Sequence, residues 1–223
     1  MDGFKFEILR HTFGDLMLGA LVTMRITAGS FLAALAIGVL VGVARGRSPL
    51  WRRLLEPYVE IFRGTPLLIQ LFFIYYGLPT VGVAMGAETA AYVGLGLNGG
   101  AYVSEIIRGA MAGVDHGQEE AAISTGLTPS QAVRYVLFPQ ALRVAVPPLT
   151  NTFASMLKES SLVSVLAITE LTRVGQLVYT RTFRAFEVYL AVGAIYFVMT
   201  YAVARLSRRL ERLAAWPGSR GGR

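Results

Sequence analysis

Long apolar runs alternate with short polar and arginine-rich stretches along this chain, and the run lengths, not an amphipathic period, set its elements. An apolar helix needs about 20 residues to cross the hydrocarbon core of a bilayer, and Ile26–Ala44 does so without a charge. The same criterion predicts membrane helices at about Leu16–Ala44, Pro57–Leu78, Thr89–Gly109, Ala141–Leu157 and Phe186–Leu206. The chain therefore reads as an all-α integral membrane protein with about five transmembrane helices. It forms one domain over residues 1–223, with a core at about 16–206 and a basic tail at 207–223 whose last part, Pro217–Arg223, is expected to be disordered.

The second of these helices is not a simple span. Only Leu67–Leu78 reads as a continuous apolar run, and the half before it holds Glu56, Pro57, Glu60, Arg63, Gly64 and Pro66. Such groups must face protein or water. The Gly64-Thr65-Pro66 break beside Arg63 is the kind of discontinuity that exposes backbone groups at a midplane site; the plainer reading is a helix entry with a snorkelling arginine. Ser160–Ile168 is too short to cross and is expected to be re-entrant, lining a pathway.

A polar insert, Gly117–Gln140, interrupts the apolar pattern between the third and fourth spans, within a loop at 112–140. Glu119 and Glu120 suit the positive end of a helix at Gln118–Thr125, and Gly126 suits its C-terminal stop. A second short helix then starts at Thr128, with Pro129 at its first position and Gln131 where a capping box places its partner. Ala121 and Ala122 leave a face bare enough for another protein to approach, so the insert reads as a docking device.

Composition agrees with a membrane domain: 54% of 223 residues are hydrophobic, and the mean hydropathy is +0.52. The pI near 10.0 could indicate nucleic acid. However, the arginines cluster beside apolar spans, at Arg45, Arg47, Arg52 and Arg53 and from Arg205 to Arg212, as positive-inside anchoring requires. That rule puts the N-terminus outside and the 112–140 loop and C-terminus in the cytoplasm. Arg173, Arg181 and Arg184 run against it. Five tyrosines near span ends, Tyr58, Tyr75, Tyr76, Tyr179 and Tyr189, read as interfacial anchors. The absence of cysteine rules out disulfides and thiolate metal sites.

Of 21 cationic residues only Lys5 and Lys158 are lysines. With Glu159, Ser160 and Ser161, Lys158 forms a set of cation, anion and hydroxyls suited to a zwitterion; the alternative is a Lys158–Glu159 pair capping the fourth helix. Asn98, beside Gly99 and Gly100, fits either a substrate contact or an interhelical hydrogen bond. Glu105 and Arg108, one turn apart, are expected to pair in a structural or gating role. Pro147 and Pro148 bend the fourth span. Neither lysine is followed by Ser or Thr, so no P-loop is present, and no HExxH or GxSxG motif occurs. No catalytic residue and no metal site is expected, and neither is a nucleic-acid partner.

Glu120-Ala121-Ala122 with Gly126 and Pro139 resembles the EAA loop of importer-type ABC transporter permeases. Three further blocks resemble the polar-amino-acid branch of that family: Phe62-Arg63-Gly64-Thr65-Pro66-Leu67-Leu68, Ala101-Tyr102 with Glu105 and Arg108, and Lys158-Glu159-Ser160-Ser161-Leu162. The loop departs from the usual pattern at Val136, Phe138 and Glu119. The resemblance implies the type I ABC importer permease fold, with short cytoplasmic coupling helices, in the bacterial inner membrane. It implies docking of an ATPase at Glu120, Ala121, Ala122, Gly126 and Pro139. Substrate contacts would come from Arg63, Leu67, Asn98, Lys158, Glu159, Ser160 and Ser161, and gating or structural roles from Gly64, Thr65, Pro66, Glu105 and Arg108. The implied partners are the ATPase, which binds ATP and Mg in place of any cofactor on this chain, a second permease subunit, identical or paralogous, and an extracytoplasmic amino acid-binding protein. The rival is a gradient-driven transporter or channel using Glu60, Glu105 or Glu159 as proton sites.

Overall fold

A computed structural model describes residues 6–214. The elements in chain order are α1 (Phe6–Arg47), α2 (Pro49–Gly64), α3 (Leu67–Phe72), α4 (Ala87–Ala112), α5 (His116–Ser124), α6 (Pro129–Ala132), α7 (Phe138–Glu159), α8 (Leu171–Thr182) and α9 (Ala185–Ala214). No strand occurs among the described residues, in keeping with the all-α expectation. The disorder expected of Pro217–Arg223 falls outside the described residues.

By length and composition, α1 and α9 each suffice to cross a membrane, and each of two bent pairs does so when taken as one span. The first pair, Pro49–Gly64 with Leu67–Val81, bends by 108° at Thr65-Pro66. Pro57 therefore lies inside α2 instead of opening the second span, and Pro49 takes the first-turn position that proline tolerates. The second pair, Pro129–Leu166 with Leu171–Thr182, bends by 52°. The re-entrant segment expected at Ser160–Ile168 is a buried 3₁₀ turn, Ser160–Leu166, closed by Ala167 in the left-handed region (φ 59°). α1 starts ten residues earlier than its apolar run because its charged first turns remain helical and pack: Ile8 and Leu16 join Leu171, Val174, Val188 and Val192 in a cluster with α8 and α9.

The third predicted span lies within α4, which packs along α1 through small residues. A Cβ at Gly38 would stand 2.4 Å from the Val103 side chain, and one at Gly42 would stand 2.6 Å from the Ser104 carbonyl oxygen. Where lipid removes the hydrophobic drive between helices, such close backbone approach supplies much of the packing energy. We expect Gly38→Leu to lower the melting midpoint of the purified protein in detergent, at a cost of about 3 kcal/mol or more, since both the obstructing atoms and the backbone behind them are buried.

Two wide π-turns, Phe73–Gly77 and Val133–Leu137, interrupt the helices. Each is closed by the amide of the residue before a proline: Leu78 donates to the Phe73 carbonyl ahead of Pro79, and Phe138 to the Val133 carbonyl ahead of Pro139. Proline lacks the amide that the next α-helical bond needs and crowds the carbonyl four residues back. A wider turn relieves that crowding without breaking the helix. As a result α6, the second π-turn and α7 run on as one helical rod.

Candidate functional site

The 112–140 loop folds as its residues dictate. Asp115 caps α5 by accepting from the Gly117 amide, so the helix opens at His116, two residues before the start read from Glu119 and Glu120. Gly126 ends the turn with φ +90°, a conformation that favours glycine, while the Gly126 and Leu127 amides donate to the Ile123 and Ala122 carbonyls. The capping box is complete: the Gln131 amide donates to Thr128 Oγ1 at 3.3 Å, and the Thr128 amide donates to Gln131 Oε1 at 2.9 Å. Glu120 and Ala121 are exposed, and so is Pro139. Ala122 is not part of the bare face: it is 5% exposed, turned into the chain's own packing.

A second locus lies along the rod, beyond the proline pair. The Thr150 and Thr152 hydroxyls donate to the Pro147 and Pro148 carbonyls at 2.8 and 3.0 Å. Past them, Asn151, Thr152, Ser155 and Glu159 of α7 face Asn98 and Tyr102 of α4 across a cleft of about 250 Å³. Amide, hydroxyl and carboxylate groups able to orient a small polar solute stand here on otherwise apolar walls.

The candidate substrate residues distribute unevenly around this cleft. Asn98 and Glu159 line it. Asn98 also makes the interhelical bonds that the sequence leaves as an alternative, its Nδ2 donating to the Phe62 carbonyl at 2.9 Å and to Gln70 Oε1 at 3.0 Å. Arg63 stands beside the cleft, its guanidinium 5.4 Å from the Tyr102 ring centroid and 3.8 Å from Glu105 Oε2. Lys158 is exposed, outside the cleft lining. Ser160 is fully buried and donates to the Leu157 carbonyl at 2.8 Å, Ser161 is half-buried, and Leu67 belongs to the apolar core.

The Gly64-Thr65-Pro66 break is held by a side chain inside the run that reads as apolar. Gln70 is 8% exposed, and its Nε2 lies 2.9 Å from the Phe62 carbonyl, 3.0 Å from the Thr65 carbonyl and 2.9 Å from Thr65 Oγ1. With Asn98 it satisfies backbone groups that the break leaves without helical partners. A lone amide within Leu67–Leu78 was the available signal.

Glu105 is the centre of a charge cluster on the loop side of the cleft. Arg108 pairs with it at 2.8 Å, as the spacing predicts; Arg63 approaches from α2, and Arg45 bonds to it from the end of α1. Arg45 also lies 3.6 Å from Glu56. The positive-inside reading of Arg45 as a surface anchor is corrected here: its side chain is only 5% exposed, and it ties α1 to α2 and α4. Tyr58 likewise is no simple interfacial anchor, since its hydroxyl donates to the Leu97 carbonyl at 2.7 Å.

Comparison with known proteins agrees with this architecture. Residues 34–215 match the model of the family described as binding-protein-dependent transport system inner membrane component. The glutamine transport system permease protein GlnP of Escherichia coli (strain K12) is 38% identical over 201 residues, covering 88% of this chain and 91% of GlnP. The probable amino-acid permease protein YxeN of Bacillus subtilis (strain 168) is 36% identical over 97% of this chain and 99% of its own length. Among solved structures, one described as an amino acid ABC transporter with histidines superposes with a TM-score of 0.88 at 38% identity, covering 96% of this chain and all of that one. A subunit of the MetNI methionine ABC transporter superposes at 0.80 with 26% identity, covering 92% and 98%. On its family match, and on apolar helices that support a multi-pass inner-membrane protein, the chain belongs to the binding-protein-dependent transport system inner membrane components, the permeases of ABC importers.

Proposed function

We propose that this chain forms the translocation pathway of an ATP-driven importer of polar amino acids and docks a separate ATPase through the 117–139 loop. One observation carries the reading: a single helical rod joins the capped loop at Thr128 to Glu159 in the cleft. Glu120 and Ala121 offer an acidic, closely approachable surface to the ATPase. In the cleft, Asn98 and Glu159 suit the ammonium and polar side chain of an amino acid, and Arg63 stands near enough to meet the carboxylate. Lys158 joins them in the assembled transporter, where a second permease subunit, identical or paralogous, completes the pathway. Gly64, Thr65 and Pro66 give the pathway its bend, and Glu105 with Arg108 holds its loop-side end closed. The loop and C-terminus face the cytoplasm and the N-terminus faces outward, where a binding protein delivers substrate. ATP and Mg belong to the ATPase.

The amino acids named for relatives set the first panel. The chain, co-purified with its ATPase and binding protein, is reconstituted in proteoliposomes, and uptake of labelled glutamine, histidine and methionine is measured. ATP-dependent uptake that is lost without the ATPase is expected. Ion-gradient-driven uptake by the permease alone would overturn the reading and favour a secondary transporter. Lys158→Ala is expected to lower uptake about tenfold, the scale of one lost charge-assisted contact, while co-purification of the ATPase stays unchanged.

A further inference from the structure

Glu170 is fully buried and serves neither the cleft lining nor the loop. It caps α8: its Oε1 accepts from the Arg173 amide at 2.8 Å and its Oε2 from the Thr172 amide at 2.9 Å. Two other helices reach the same carboxylate. The Tyr196 hydroxyl of α9 donates to Oε2 at 2.9 Å, and the Thr23 hydroxyl of α1 lies 3.3 Å from it. Thr23 in turn accepts from the Leu171 amide at 3.1 Å, and the Tyr196 hydroxyl sits 3.0 Å from that of Thr172. A buried carboxylate is costly unless its oxygens are fully bonded, and here donors of α8 and α9 converge on one group, with the Thr23 hydroxyl of α1 shared between it and the Gly19 carbonyl at 3.0 Å.

Its place in the chain suggests what the arrangement serves. The 160–170 segment begins beside the cleft residue Glu159 and ends at Glu170. Between them, Ser160, Val163, Ser164 and Leu166 are buried and Ala167 holds a left-handed conformation, uncommon for a residue with a Cβ. Such a turn persists only where its surroundings fix it. One end continues from α7. The other runs through buried Ile168 to the Glu170 carboxylate.

We propose that Glu170 is the positioning residue of the cleft: it clamps the far end of the 160–170 segment to α1 and α9, and so holds Glu159 and the segment behind it in register with Asn98. This rests on the reading of the cleft as the substrate site. Because this chain has no cysteine, a single reporter is unambiguous once the labelled subunit is separated by electrophoresis. Reporters S161C and V165C test the segment, and S124C in the distant loop serves as control, each followed by its rate of maleimide labelling in the purified transporter. Glu170→Ala is expected to speed labelling at S161C and V165C about tenfold, the scale of losing a bond to a charged group, and to leave S124C unchanged. Glu170→Gln, which keeps one acceptor oxygen but turns an NH2 group toward one of the two α8 amides, should give a smaller rise, about threefold. Should Glu170→Ala fail to fold, Tyr196→Phe and Thr23→Val decide, with increases of about threefold each, since each removes a neutral contact to the carboxylate together with one neighbouring bond.

Unchanged labelling in these variants, or an equal rise at S124C, overturns the clamp. In reconstituted transporter with L-glutamine as the probe, Glu170→Ala should raise KM about tenfold and Glu170→Gln should raise it less. If the unaltered transporter imports no amino acid of the panel, the substrate reading falls while the labelling result still decides the clamp.

Discussion

Glu105→Ala should destabilise the folded protein by about 3–5 kcal/mol, because it leaves the Arg45 guanidinium buried without its closest counter-charge. The remaining partner, Glu56, is 3.6 Å away and belongs to a helix that meets Arg45 from one side only. The Arg45 Nε already lacks a hydrogen-bond partner, so little bonding is left to offset the loss. Thermal melts in detergent would show a large fall in midpoint. Arg108→Ala is the control: its side chain is 42% exposed, and removing a half-exposed partner is expected to cost no more than about 1 kcal/mol. Combining Glu105→Ala with Arg45→Met should recover much of the loss, since the uncompensated charge disappears with its partner. Equal midpoints for Glu105→Ala and Arg108→Ala would show that the cluster is solvated and that Arg45 carries no buried charge.

Glu120→Lys should abolish ATP-driven uptake while leaving the melting midpoint within a degree or two. Glu120 is exposed, and among the described residues its side chain has no bonding partner; the helix around it is held by the Asp115 cap and the Gly126 turn. Surface changes away from such features usually alter stability by about 0.5 kcal/mol or less. At a docking surface, reversal places like charge against a partner built for the opposite sign, which costs several kcal/mol and releases the complex. Co-purification of the ATPase is the direct measurement. Retained ATPase with full uptake would remove the loop from the docking role and return weight to a gradient-driven mechanism.

The parts of this molecule that depend on neighbours in sequence were legible from it. The capping box at Thr128–Gln131, the stop at Gly126 and the pairing of Glu105 with Arg108 all follow from spacings of three or four residues. Asn98 was singled out because an amide between glycines in an apolar run has few roles, and the structure gives it both a bonding role and a place in the cleft lining. What stayed hidden are contacts closed by folding. Thr23, Glu170 and Tyr196 read as unrelated polar residues on separate segments, and only the packing of α1, α8 and α9 brings them together. Arg45 was misread because an arginine at the end of an apolar run is usually a headgroup anchor, and burial against α2 and α4 cannot be read from its own position. The π-turns were not legible, since Pro57, Pro147 and Pro148 lie inside ordinary α-helix while Pro79 and Pro139 each follow a wide turn.

The rod from Pro129 to Glu159 has a mechanical consequence. At a rise of 1.5 Å per residue it is about 45 Å long, with Pro139 and its wide turn near one end and the cleft at the other. The segment beyond the π-turn, Phe138–Glu159, is therefore a lever roughly 30 Å long pivoting close to the loop. A tilt of about 5° at that pivot would sweep Glu159 through roughly 3 Å, about the length of a hydrogen bond. On the proposed reading, a force applied at the short arm by a docked ATPase would become a displacement large enough to make or break a contact between Glu159 and a solute, without any helix having to unwind.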